Sequence, residues 1–154
     1  MKITIVYFIS TTLFIFSQHI LAQTNNGYDS VLAKKLQADD YGMKIYSFIL
    51  LKKGTSTISD KHILDSIFSG HMANIIKLAS ENKLLLAGPM GDNDKNYEGI
   101  FVFNTTNTDE AKQWLNTDPA IQYKALDAEV YSWYCTAALQ EIPALHEKVQ
   151  KKSF

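Results

Sequence analysis

Met43 to Leu51 is dense in Ile, Tyr and Phe, with Ile45 and Ile49 alternating against Tyr46 and Phe48, and a run of that kind predicts a β-strand with apolar groups on both faces. After a polar loop at Lys52-Lys53-Gly54-Thr55-Ser56 the period changes. Phe68, His71, Met72, Ile75, Leu78 and Ala79 recur at three- and four-residue spacing, which predicts a long helix over Asp60 to Glu81 with Ser59 or Asp60 as N-cap. Gly70 sits inside that helix, where glycine costs ~1 kcal/mol against alanine. Either the helix breaks there, or another backbone or a ligand comes close beside His71. Leu84 to Ala87 reads as an interior strand ended by Gly88-Pro89, and Gly91-Asp92-Asn93-Asp94 as a turn. Gly99 to Asn104 is a third strand. Thr108 is expected to cap a second helix with Asp109 and Glu110 in its first turn, the favoured arrangement for the helix dipole, and with Trp114 and Leu115 facing inward. Leu126 to Cys135 is the last strand. Upstream, Tyr28, Val31, Leu32 and Leu36 at helical spacing predict a short amphipathic helix begun near Asp29, and downstream Pro143 to Lys152 predicts a loose basic helix.

The order strand, helix, strand, strand, helix, strand is that of a split βαβ unit, an α+β ferredoxin-like βαββαβ fold with a four-stranded antiparallel sheet. Two helices cover one sheet face. Because both faces of the first strand are apolar, the second face needs cover as well, and the simplest cover is a second copy of the chain, giving a symmetric homodimer packed sheet on sheet.

The first 22 residues read as a secretory signal: Lys2 gives the positive start, Ile3 to Ile15 is almost unbroken apolar sequence, and Ile20-Leu21-Ala22 offers a cut before Gln23. A membrane anchor is the rival reading, but the run is short for the ~20 residues of a full span. The expected division is a signal peptide over 1–22, an N-terminal extension with a short helix over 23–42, the ferredoxin-fold domain over 43–135 and a tail over 136–154. The chain is thus expected to be exported, periplasmic or secreted, with no membrane span in its mature part.

Composition narrows the chemistry. All 15 basic residues are lysine, so no guanidinium is available to clamp a carboxylate or phosphate in two places. A net charge of −1 without a lysine cluster argues against a nucleic-acid partner. Cys135 is the single cysteine, which excludes an intrachain disulfide, and its place after Tyr131 and Trp133 on one strand face suits a small buried hydrophobe.

Two residues stand out as candidate catalysts. His71 lies on the apolar stripe of the long helix, on a face expected to point at the sheet edge where loops converge. Asp118 precedes Pro119, which biases it to extended geometry, although aspartate then proline is also how a helix starts. The roles are compatible, since a capping carboxylate can still accept from an imidazole. A carboxylate on one ring nitrogen would orient the imidazole and make the other nitrogen more basic, fitting it to take a proton near neutral pH. Tyr123, Lys83 and the Gly88 region are candidate helpers; His71 as a core histidine and Asp118 as a plain cap are the structural alternatives. Metal readings are weaker. His62 and His71 are nine residues apart and, at ~100° per residue, point to opposite sides of one helix. Asp92, Asp94 and Asn96 imitate the start of a calcium loop, but Tyr97 stands where glycine belongs and Phe103 where the closing glutamate belongs, so the segment reads as a solvated turn. No metal and no cofactor is expected.

Taken as an ordered set, Tyr41-Gly42-Met43-Lys44, His71, Leu86-Ala87-Gly88-Pro89, Gly99, Asp109-Glu110-Ala111 and Asp118-Pro119 resemble the YCII-related (YciI-like) family over about Tyr41 to Tyr134. The resemblance implies a ferredoxin-like fold dimerised as an α+β barrel, with a His–Asp site matched here by His71 and Asp118. It names no reaction. The functional expectation is an exported small-molecule enzyme acting on a small polar organic ligand by general acid/base, isomerase or lyase-type chemistry without a cofactor. The alternative is a non-catalytic ligand-binding or structural homodimer.

Overall fold

The first strand, β1 (Met43–Lys53), has a neighbour on each side and packs against an apolar cluster on each face. A computed structural model describes residues 26–152, so the expected signal segment over 1–22 and the cut before Gln23 lie outside the described residues. Around β1 the chain adds α1 (Ser30–Lys35), α2 (Lys61–Ser80), β2 (Leu84–Pro89), β3 (Tyr97–Phe103), α3 (Thr108–Leu115), α4 (Pro119–Gln122), β4 (Leu126–Thr136), a 3-10 turn at Ala137–Glu141 and α5 (Ile142–Val149). The four strands form one antiparallel sheet in the order β2-β3-β1-β4. β1 pairs with β4 from Met43 opposite Thr136 to Lys53 opposite Leu126, and with β3 from Ser47 opposite Phe103. This is the ferredoxin-like α+β arrangement.

Alternation along β1 sends Ile49 and Leu51 to one face, where they meet Phe101 and Phe103 of β3, Leu84 of β2 and Leu126 of β4. Ile67 and Leu78 of α2, Ala111 and Leu115 of α3, and Ala120 of α4 close over them to form the main core. At ~1.5–3 kcal/mol for each large apolar side chain fully buried, this layer is the principal source of stability. The buried stripe of α2 is rotated from the expected one. It runs Ile67, His71, Asn74, Leu78, whereas Phe68 and Met72 remain 42% and 39% exposed. Counting apolar residues alone gives a wide stripe, and here polar Asn74 takes a position inside it.

Helix starts follow side-chain capping. Asp29 accepts from the amides of Val31 and Leu32, and Asp60 from those of His62 and Ile63. Asn107, rather than Thr108, caps α3 by accepting from Asp109 and Glu110, since its amide oxygen reaches both amides from one residue earlier. α2 is unbroken through Gly70.

The opposite sheet face carries Tyr46, Phe48, Val102, Leu85 and Leu86. A register shift between Leu84 and Leu86 brings both Leu85 and Leu86 into this cluster. Cys135 and Leu139 cover one end of it; the cysteine, expected as a buried hydrophobe, packs on the cluster but is only partly buried. The helix expected over Pro143 to Lys152 is α5, at Ile142–Val149, and it is preceded by a 3-10 turn tied to the sheet. The Tyr46 hydroxyl donates to the carbonyls of Thr136 and Ala137 (3.1 and 3.2 Å), and Lys44 Nζ donates to Asn104 and Gln140. Gln140 Nε2 donates to the Leu36 carbonyl at 2.7 Å, and Lys35 pairs with Glu141 at 2.8 Å, so the extension carrying α1 is fastened to the tail.

The Tyr134 hydroxyl completes that attachment by donating to the Asp39 carboxylate. The bond holds Asp39 below its usual 3.8 and pushes Tyr134 up to about 12 from 10.0. Asp39 therefore contributes stability that is present above pH 3.8 and lost as pH falls through its lower folded value. Tyr134 contributes stability that is present below pH 10 and lost as pH rises towards 12. Both side chains face water, so the effect on the global fold is small. An ultraviolet titration of tyrosinate is expected to show a component near 12 that Tyr134→Phe removes and that Asp39→Ala returns towards the ordinary tyrosine range.

Candidate functional site

Three consecutive residues at the α3–α4 junction meet three residues of one α2 face. Thr117 Oγ1 donates to Asn74 Oδ1 at 2.9 Å, and also to the Trp114 carbonyl at 2.7 Å. Asp118 Oδ2 lies 2.7 Å from His71 Nδ1. The ring of Pro119 lies against Gly70. Residues 70, 71 and 74 share a face because a helix repeats every 3.6 residues.

Asp118 is 1% exposed and His71 12%. A buried carboxylate is costly unless it is hydrogen-bonded, and each oxygen of Asp118 has a partner. Oδ1 accepts from the Ala120 amide at 2.9 Å, which caps α4, and Oδ2 faces His71. Cap and imidazole partner are therefore both present. Pro119 occupies the first position of α4, where its missing amide is no loss.

The imidazole is also held by aromatic packing. Phe101 of β3 stacks on it at 5.9 Å between ring centroids and 21° between planes, and Phe68 meets it edge-on at 6.1 Å and 82°. His71 thus sits over an inner strand of the sheet, whereas a sheet edge was expected. An ionised carboxylate only accepts hydrogen bonds, so Asp118 in that form fixes the proton of a neutral His71 on Nδ1 and leaves the Nε2 lone pair free. The pair can then accept a proton at Nε2 and return it.

The other candidates are placed elsewhere. Lys83 pairs with Glu81 at 2.6 Å and lies 5.5 Å over the Trp114 ring. Tyr123 is exposed at the end of α4, and Gly88 pairs with Ile100 from β2, which was expected inside the sheet and is one of its edge strands. Asp92 and Asp94 are exposed, while Asn93 organises the turn by accepting from the Lys95 and Tyr97 amides. Among the described residues no group of three His, Cys, Asp or Glu side chains is placed to share a metal ion. A groove of about 740 Å3 lies along α1, lined by Tyr28, Leu32, Leu36, Tyr41 and Thr136 among others, and neither His71 nor Asp118 contributes to it. Among the described residues no helix is long and apolar enough to cross a membrane.

No protein-family model and no curated protein matches the chain. Among solved structures, 5-chloro-2-hydroxyhydroquinone dehydrochlorinase from Burkholderia phenoliruptrix, in complex with 2,5-dihydroxybenzoquinone, is similar at 19% identity and a TM-score of 0.41, over 56% of this chain and 92% of its own. A likeness of that size says nothing about the chemistry here, and the fold class rests on the strand order itself.

Asp118→Ala removes both the cap and the partner of His71. It is expected to lower stability by about 1 kcal/mol for the cap and by a further ~1–3 kcal/mol for the imidazole left without its partner. Asp118→Asn caps equally well and its side-chain NH2 can donate to Nδ1 of the other neutral tautomer, so it is expected to recover most of the loss; chemical denaturation of the two variants beside wild type checks the order.

Proposed function

We propose that the chain is a small-molecule enzyme in which His71 is the general base and acid and Asp118 its orienting carboxylate. The observation that carries this reading is the 2.7 Å contact between His71 Nδ1 and an aspartate whose other oxygen is already committed to the Ala120 amide. Such an aspartate cannot turn away without giving up the start of α4, so the imidazole is held in one orientation. A positioned base of this kind contributes typically ~10²–10⁴-fold to a proton transfer. The reaction class we assign is isomerase or lyase-type: Nε2 removes a proton from carbon or from an acidic hydroxyl of a small polar organic molecule, and returns it to another atom or passes it to a leaving group. The residues that carry the resemblance to the YCII-related family support the same reading.

The quaternary part of the proposal is a homodimer packed sheet on sheet. Its support is the sheet face opposite the helices, where Phe48 and Trp133 pack edge-on at 5.5 Å and Trp133 stays 37% exposed beside Tyr131. Export to the periplasm or medium belongs to the proposal on the strength of Lys2, the apolar run to Ile15 and the Ala22–Gln23 junction.

A second reading is favoured by the low exposure of His71: the dyad joins α2 to α4, and the protein binds a ligand without changing it, or is a structural dimer. Proton exchange separates the readings without knowledge of the product. A panel of enolisable carbonyl compounds incubated in heavy water with the protein is followed by NMR. The enzyme reading expects deuterium at a carbon of at least one compound, lost in His71→Ala and reduced by ~10²-fold or more in Asp118→Asn, in which the tautomer is no longer fixed. Both variants should keep the wild-type circular dichroism spectrum. A ligand that raises the melting temperature but exchanges no proton would move the assignment to the binding reading. For the dimer, Trp133→Glu is expected to convert a two-chain species to one chain in sedimentation analysis.

A further inference from the structure

Resting on the dyad reading above, we propose that Gly70 is a positioning residue: by having no side chain it sets, through Pro119, the separation at which Asp118 meets His71. The helix gives no reason of its own for glycine at this place. α2 runs unbroken from Lys61 to Ser80, and an interior glycine costs it ~1 kcal/mol against alanine. The reason lies across the interface. A Cβ on residue 70 would lie 2.9 Å from Cγ of Pro119, 3.4 Å from its Cβ and 3.8 Å from its Cδ.

Pro119 has no easy way to yield. Its ring fixes its own φ, so the freedom left to it is a small change of pucker at Cγ, and it forms the first residue of α4. Reaching ordinary contact at 3.4 Å from 2.9 Å takes a displacement of about 0.5 Å. Asp118 is covalently joined to that ring. The junction is pinned on its other side by the Thr117–Asn74 hydrogen bond, so the movement falls on Asp118 and Pro119. The same displacement applied to the 2.7 Å contact brings it to about 3.2 Å, the outer limit of an N–H···O hydrogen bond. Gly70 and His71 are adjacent in sequence, so one helix residue admits the junction and the next receives its carboxylate.

The test compares full-length wild type with Gly70→Ala, Pro119→Ala and the double variant. The readout is the NMR signal of the His71 Nδ1 proton, far downfield and protected from exchange when a carboxylate holds it, with thermal unfolding alongside. The proposal expects Gly70→Ala to lose that signal and the double variant, from which most of the ring is gone, to regain it. An unchanged signal in Gly70→Ala overturns the proposal, and so does loss that the double variant fails to restore. If Gly70→Ala does not fold, the double variant decides: folded with the signal supports the proposal, while folded without it, or unfolded, overturns it. The wild-type spectrum keeps the two levels apart. A protected proton that disappears in Asp118→Asn establishes the pair whatever Gly70 does; its absence from wild type sinks the pair and the positioning role together.

Discussion

A carboxylate that water scarcely reaches must have both oxygens occupied by donors, and Asp118 meets that demand with the Ala120 amide and the His71 imidazole. Much follows from this requirement. The α3–α4 junction has to approach α2 closely enough for the second bond, so the facing helix surface must be low there. Glycine at 70 and a short polar residue at 74 supply that low surface. The approach in turn brings the imidazole down on Phe101, which links the junction to an interior strand. A local cap, a helix–helix packing distance and the orientation of a candidate base are thereby one problem with one solution.

The two sheet faces divide the work. One is sealed by α2, α3 and α4 and holds the large apolar residues. The other is covered at one end by Cys135 and Leu139 and left open around Trp133 and Tyr131. On the open face Lys52 pairs with Glu129 at 2.5 Å, and Glu129 also accepts from the Tyr131 hydroxyl. These bonds raise Lys52 and Tyr131 and lower Glu129 from their ordinary values. Such partly wet pairs add little stability, but they mark where the apolar part of that face ends.

Reading the chain as a sequence reaches the strands, both main core helices and the two residues of the dyad, because period and turn chemistry are local and strong here: alternation through Tyr46 and Phe48, Gly88-Pro89 at a strand end, Asp118-Pro119 at a helix start. It falls short where the outcome depends on distant residues. Asn74 looks like an interruption of an apolar stripe until Thr117 is placed opposite it. A polar residue three positions after a candidate histidine was the available signal. Gly70 suggests a helix break as the plainer reading and a close approach as the other, and the ring of Pro119, 49 positions away, decides for close approach without a break. Asn107 and Thr108 both cap well, so only geometry separates them. The 3-10 turn after β4 carries only the Thr136 cap as a local signal, and its attachment comes from Tyr46 and Lys44 on another strand.

That attachment reaches beyond the pattern by which the fold is recognised. The recognisable ferredoxin-like part spans 43–135, yet a chain trimmed to it would strip the buried Tyr46 hydroxyl of both its acceptors, the carbonyls of Thr136 and Ala137. Lys44 would lose Gln140, and Tyr134 would lose Asp39. The extension and the tail are also bound to each other through Lys35 and Glu141 and through Gln140 and Leu36. Sequence before and after the fold has thus become a single clasp across one end of the sheet, and trimming the chain to the pattern by which it is recognised would remove both halves of that clasp.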